Sequence, residues 1–166
     1  MRTQCNFQKV SYQQYKKDFI NLCEYLSKDV DINNDYEDIQ KPRRSTSGSA
    51  GYDFYIPFDI ELIPKRTYKI PTGIRFFIEE GYRLDLIPRS SLGCNFGFRL
   101  LNTIGLIDSD YYYAKNEGHI LIAFEVDKTV KLKKGDRFCQ GILQKYYITL
   151  NDDINKKRTG GFGSTN

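Results

Sequence analysis

Residues 12–27 place apolar side chains at helical spacing. Tyr12, Tyr15, Phe19, Leu22 and Leu26 share one face, and Lys16, Lys17 and Glu24 fall elsewhere on the wheel. Ser11 stands before the run as an N-cap. The pattern predicts an amphipathic helix packed on the domain, with a short strand over residues 6–10 ahead of it. Residues 29–38 are acidic and Asn-rich and read as a solvated loop. From Pro42 the texture changes, and short apolar or aromatic runs alternate with turn residues. They cover 51–56, closed by Pro57, and 58–62, closed by Pro64. Runs at 67–70, 74–78, 83–87, 99–101, 119–126, 129–132 and 138–149 follow. Many short strands at this spacing predict an all-β sandwich, barrel or jelly roll. No long helical period follows residue 28, and there is no internal repeat. The expected layout is a single domain: an N-terminal extension over 6–41, a β-barrel over 42–150 and a glycine-rich arm over 151–166.

Length and composition narrow the class. A chain of 166 residues with 40% hydrophobic and 28% charged content has enough apolar surface for one real core. A net charge of +4 permits a polyanionic ligand without indicating nucleic acid. The 13 Tyr and 11 Phe are as expected of strands as of base stacking. Cys5, Cys23, Cys94 and Cys139 lack Cys-x-x-Cys spacing, so neither a zinc site nor a disulfide framework is expected. The polar N-terminus has no apolar signal region, and no run reaches transmembrane length. A reduced, cytoplasmic protein without membrane or direct nucleic-acid contacts is the default. The single histidine, glycine-flanked His119, excludes a two-histidine metal site and reads as a turn residue. If the chain is an enzyme, its base is expected to be a carboxylate.

One stretch concentrates chemistry. Residues 102–111 hold Asn102, Gly105, Asp108, Asp110 and Tyr111, and the apolar run 104–107 leads straight into Asp108. A carboxylate at the end of a buried strand is rigid and partly desolvated, which suits a positioned base. Asp-Ser-Asp is equally ordinary turn chemistry. Pro88-Arg89-Ser90-Ser91-Leu92-Gly93 follows a strand, where Arg and paired serines can hold phosphate oxygens or simply form a polar turn. Gly135-Asp136-Arg137 enters the strand that carries Gln140, and Asp136 and Arg137 could pair with each other. The tail from Arg158 through Gly160-Gly161-Phe162-Gly163-Ser164-Thr165 reads either as a loose terminus or as an anion-wrapping arm. Glycines let backbone N–H groups converge, and Arg, Ser and Thr add donors. It lacks the lysine of a Walker A loop.

Order decides where single motifs do not. Gly48-Ser49-Ala50-Gly51-Tyr52-Asp53, Pro88-Arg89-Ser90-Ser91-Leu92, residues 102–111, Gly135-Asp136-Arg137-Phe138-Cys139-Gln140 and Gly160-Gly161-Phe162-Gly163-Ser164-Thr165 occur in sequence. This resembles the trimeric dUTP diphosphatases, the dUTPases, of bacterial or phage type, from Pro42 to the C-terminus. The resemblance implies a jelly-roll β-barrel and a homotrimer whose sites are shared between subunits. In that family the first, second and fourth motifs come from one chain, the third from a neighbour and the tail from the remaining subunit. It implies hydrolysis of dUTP to dUMP and pyrophosphate with Mg2+, which limits uracil in DNA and supplies dUMP for dTMP synthesis. By position, Asp108 matches the carboxylate that activates water, and Tyr111 the ring against the deoxyribose. Asn102, Gly105 and Ile107 lie in the hairpin that reads uracil. Arg89, Ser90, Ser91 and Gln140 match phosphate contacts. In the tail, Phe162 would cover the base, with Arg158, Ser164 and Thr165 on the phosphates and Gly163 among the substrate-binding residues. Asp53 matches an aspartate that is either structural or linked to the metal through water.

Three features depart from the family pattern. Tyr111 is followed by Tyr112 to His119 where Arg-Gly is common, which makes a longer hairpin tip. Lys157 stands where the tail arginine is often found, with Arg158 one residue closer to the glycines. The 12–27 helix has no counterpart in minimal members. The related dCTP deaminases are the nearest rival; their glutamate base aligns with Ala123, with Glu125 two residues along, and they lack the Gly-Gly-Phe tail. A non-catalytic regulatory protein on the same scaffold is the second rival.

Overall fold

Strict alternation in Ile74–Ile78, where Ile74, Phe76 and Ile78 are buried and Arg75 and Phe77 are not, shows how this chain builds its body. The computed structural model describes residues 4–23 and 31–155. In chain order the strands are β1 (Cys5–Lys9), β2 (Arg43–Arg44), β3 (Tyr52–Tyr55), β4 (Ile60–Leu62), β5 (Tyr68–Pro71), β6 (Ile74–Ile78), β7 (Tyr82–Pro88), β8 (Arg99–Leu100), β9 (Gly105–Ile107), β10 (Leu121–Glu125), β11 (Val130–Leu132) and β12 (Arg137–Lys145). Among the described residues three helices, α1 (Tyr12–Cys23), α2 (Ile32–Glu37) and α3 (Ser90–Phe96), and a 3-10 turn, Ser109–Tyr113, join them.

Among the described residues all strand pairs are antiparallel, as the all-β jelly-roll expectation requires. The largest sheet runs β2-β3-β12-β7-β9, a second runs β5-β10-β8, and β1–β6 and β4–β11 form two-stranded ribbons. Their inner faces meet in one core that includes Phe54, Phe76, Leu84, Phe124 and Phe138. Gly141 allows β12 to lie close to its neighbours, because a Cβ there would meet Leu84 Cδ1 at 2.9 Å and Phe54 Cε2 at 3.1 Å. Among the described residues no helix is long and apolar enough to cross a membrane.

The helix expected over 12–27 is present as α1 over its first twelve residues, and 24–27 lie outside the described part. Tyr15 and Phe19 are fully buried, and Phe19 meets the Phe58 ring edge-on at 5.0 Å. Burying two such rings supplies roughly 2–3 kcal/mol each, enough to fix a helix of this length on the barrel.

One local expectation is corrected and one is sharpened. Residues 29–38 are not simply a solvated loop, since 32–37 form α2. Asp31 caps it by accepting from the Asn33 and Asn34 amides at 3.1 and 3.2 Å. Lys134 then reaches across to Asp35 and Asp38 at 2.9 and 2.8 Å. The Asn-rich sequence has low helix propensity, and these distant partners override it.

His119 closes a turn, its amide donating to the Asn116 carbonyl at 3.0 Å, but its side chain is wholly buried. Its Nε2 accepts from the Gly73 amide at 2.8 Å and therefore carries no proton. The ring proton sits on Nδ1 and is donated to Asp18 Oδ2 at 2.6 Å. Burial pushes the Asp18 carboxyl up, but hydrogen bonds from His119 and Gln14 outweigh it and hold the group below its ordinary 3.8. Because the folded value is depressed, the stabilisation is present above 3.8 and is lost as pH falls through the folded value. Asp18→Asn is therefore expected to lower Tm at pH 7, and the gap should narrow as pH falls below 3.8 and the parent carboxylate takes up its proton. Thermal melts across that range test it; a gap that widens in acid would contradict the assignment.

Candidate active site

Edge strand β9 carries one wall of the site. Its Gly105 and Ile107 face the core while Leu106 is half exposed, so the strand ahead of Asp108 is buried on one face only, not throughout. β9 pairs with β7 through Gly105↔Leu86. A Cβ at Gly105 would meet Leu86 Cβ at 3.1 Å and Cδ1 at 3.2 Å, so glycine here allows the close approach and leaves the hollow above it open. Before β9 the chain turns through Thr103 at φ +63, an uncommon conformation for a β-branched residue. The Ile104 amide donates to the Asn102 carbonyl at 2.6 Å, closing the turn tightly. Such strain at a ligand-facing turn is a recurrent mark of a functional site.

The hollow is an open pocket of about 240 Å³. Asn102, Gly105, Ile107 and Tyr111 of the third motif line it together. The apolar wall opposite comes from Leu86, Leu100 and residues 121–123, which sequence reasoning did not assign to the site. Their alternation marked them as strand residues, but which face closes over a pocket depends on sheet pairing. Ala123 is in this wall, whereas Glu125 is paired with Arg99 at 2.9 Å.

Asp108 begins the 3-10 turn with extended backbone, and its side chain does not cap that turn. Its carbonyl accepts from the Tyr111 amide at 3.2 Å, which fixes the spacing between the two residues. Tyr111 is buried. Its hydroxyl donates to the His119 carbonyl at 2.7 Å and accepts from Asn116 Nδ2 at 2.8 Å. The longer tip after Tyr111 is thus this 3-10 turn followed by a wrap back to His119.

A second cluster forms around Asp53, which is 1% exposed. Gln140 Nε2 donates to Oδ1 at 2.9 Å and Ser45 Oγ to Oδ2 at 2.5 Å. Arg89 and Arg137 approach at 3.5 and 3.4 Å. Burial pushes the Asp53 carboxyl up, and the Ser45 and Gln140 hydrogen bonds with the two guanidinium groups more than offset it, holding it below its usual range. Arg137 does not pair with Asp136, as the sequence allowed. Asp136 accepts from the Lys133 amide at 2.7 Å, and a register shift between Arg137 and Cys139 turns Arg137 towards Asp53. Ser45 was missed, and nothing local in Arg44-Ser45-Thr46 marks it. Ser90 and Ser91 are exposed at the start of α3, where Arg89 as N-cap contributes no side-chain cap. Cys139, beside Gln140, is inert: burial pushes its thiol up to about 12.

Within one chain, then, the first, second and fourth motifs meet at Asp53, and the third motif builds a pocket to which none of that cluster contributes. Arg158, Phe162, Gly163, Ser164 and Thr165 lie outside the described residues. Among the described residues no three His, Cys, Asp or Glu side chains converge as a metal site would need.

Residues 37–166 match the dUTPase family model. The deoxyuridine 5'-triphosphate nucleotidohydrolase of Lactococcus lactis is 38% identical over 132 residues, covering 76% of this chain and 88% of that protein. The enzyme of the same name from Finegoldia magna is 39% identical over 132 residues, covering 75% and 90%. The crystal structure of dUTPase from Streptococcus mutans superposes with a TM-score of 0.63 at 28% identity, over 87% of this chain and 98% of that one. A dUTPase mutant from phage phi11 of S. aureus, described with a structural Mg(II) ion, shares the fold with a TM-score of 0.65 at 16% identity, over 92% and 97%.

Proposed function

The chain belongs to the dUTPase family of hydrolases, and on that premise we propose that it converts dUTP and water to dUMP and pyrophosphate at sites shared between three copies of the chain. The observation that carries the shared site is the separation of its parts. The Asp53, Arg89 and Gln140 cluster and the Asn102–Tyr111 pocket are two places on one chain. A closed three-fold ring brings the pocket of one copy to the cationic cluster of the next.

In this reading the pocket takes the deoxyuridine. Asn102 and the backbone of its turn meet the uracil edge, where paired donors and acceptors discriminate far better than an apolar wall. The Tyr111 ring lies against the deoxyribose, and its tethered hydroxyl keeps it from yielding to a 2′-hydroxyl. Arg89, Ser90, Ser91 and Gln140 bind phosphate oxygens. The tail adds Arg158, Ser164 and Thr165 to the phosphates, with Phe162 and Gly163 over the base. Asp108 accepts a proton from water as the water oxygen bonds to the α-phosphorus. The bridging oxygen leaves with pyrophosphate. Most of the rate then comes from alignment and charge neutralisation.

The donor set bears on magnesium. Both Asp53 oxygens are engaged, and two guanidinium groups flank them, so Asp53 serves to orient Arg89 and Gln140 rather than to hold a cation. The chain suits Mg2+ as an ion carried by the triphosphate and its waters, where it neutralises phosphate charge. A deaminase reading is disfavoured by Ala123: the pocket wall has a methyl group where that reaction needs a carboxylate. Pyrophosphate release should be measured with dUTP, dCTP, UTP and dTTP. Turnover of dUTP alone is expected; ammonia from dCTP, or no turnover of any nucleotide, would overturn the proposal.

A further inference from the structure

The family match begins at residue 37. β1 and α1 therefore lie outside it, yet they grip the segment that follows Asp108. Tyr112 Oη donates to Gln8 Oε1 at 2.7 Å. Glu117 accepts from the Ser11 backbone N–H at 2.7 Å and from Ser11 Oγ at 2.6 Å. His119 donates to Asp18.

The Ser11 contact has a specific logic. Ser11 is the N-cap of α1, its Oγ accepting from the Gln14 amide at 3.2 Å. In a capping box the side chain three residues along reaches back to the N-cap amide. Here that residue, Gln14, turns to Asp18 instead, at 2.7 Å. Glu117, far along the chain, closes the box in its place.

Glu117 itself has φ +58, and Gly118 follows at φ +68. A Cβ on Gly118 would meet the Tyr111 carbonyl oxygen and Tyr112 Cα, each at 2.8 Å, so the tip is wrapped tightly over Tyr111. A non-glycine residue in this conformation persists only where its surroundings hold it. Arg75 of the barrel secures the near end of the tip, donating to the Tyr112 carbonyl at 2.7 Å. The far end, from Asn116 to His119, rests on α1. That far end supplies both groups that tether the Tyr111 hydroxyl.

We propose that Ser11 and Asp18 of the N-terminal extension are positioning residues for the nucleotide pocket: through Glu117 and His119 they hold the turn that fixes the Tyr111 ring. The consequence for catalysis rests on the reading of that pocket as the deoxyuridine site.

Glu117→Ala opens the box, Glu117→Gln keeps one acceptor, and Ser11→Ala removes the hydroxyl bond. Amide hydrogen exchange over residues 109–119 should quicken in Glu117→Ala. Its KM for dUTP should rise about 5- to 30-fold, with kcat within about threefold. Its preference for dUTP over UTP should fall by a factor similar to the rise in KM. Glu117→Gln should recover most of both, and Ser11→Ala should fall between. If exchange, KM and sugar preference stay at the parent values while Tm falls, the extension is only a stabilising appendage and the proposal is overturned. Parent chain that turns over no dUTP overturns the pocket reading instead; the exchange measurement then judges the brace alone, and unchanged exchange overturns it.

Discussion

Asp108→Asn is expected to bind dUTP about as well as the parent chain and to turn it over 10²- to 10⁴-fold more slowly, the range that a positioned general base contributes. The two side chains have the same shape, so the loss comes from the charge and basicity of the carboxylate rather than from its bulk. Asp108 does not use its side chain to cap the turn it begins, and the interaction that sets its distance from Tyr111 runs through its own carbonyl. A thermal melt of parent and variant separates any change in stability from the change in turnover. A defect confined to kcat marks an interaction made in the transition state, whereas a rise in KM alone would mark a binding role. Steady-state kinetics with calorimetric titration of a non-hydrolysable dUTP analogue separate these. A near-normal kcat would remove Asp108 as the base and return it to the turn chemistry that its sequence context equally allows.

The β-body was legible because its signal is local. Period-2 alternation and Pro or Gly breaks placed nearly every strand, and the helical face of Tyr15 and Phe19 placed α1. What escaped depends on partners far along the chain. α2 is made from Asn-rich sequence because Lys134 bridges Asp35 and Asp38, and no local window contains that lysine. His119 reads as a turn residue between glycine and isoleucine until α1 brings Asp18 to it. Arg137 looks like the partner of Asp136, and only the bulge between Arg137 and Cys139 shows it aimed at Asp53. The same holds for the site. Asn102, Gly105, Ile107 and Tyr111 are near neighbours in sequence and line one pocket. Their apolar wall belongs to β7, β8 and β10, and the pairing β5-β10-β8 that delivers part of it is set by long-range register.

Asp53→Ala should be costly for a different reason from Asp108→Asn, because it strands charge rather than removing a base. Removing one partner of a buried ion pair typically costs about 3–5 kcal/mol. Here Arg89 and Arg137 keep side-chain exposures of 24% and 42%. Water can therefore take over part of the solvation, and about 2–3 kcal/mol is the better expectation. The pH dependence has a definite sign. With its folded value depressed, Asp53 stabilises above 3.8 and ceases to do so as pH falls through that depressed value. Denaturant unfolding of parent and variant should thus converge in acid and diverge at neutral pH. Activity should fall further than stability alone explains. Without the carboxylate, Gln140 loses its 2.9 Å acceptor and Arg89 its counter-ion, and a misplacement near 1 Å in a positioning group can cost about 10²-fold. A double-mutant cycle with Gln140→Ala distinguishes this from general loosening. If Asp53 acts by orienting Gln140, the two losses in kcat/KM overlap and the double variant is scarcely worse than Asp53→Ala. Fully additive losses would show that Asp53 and Gln140 act independently, and the orienting role would have to be abandoned.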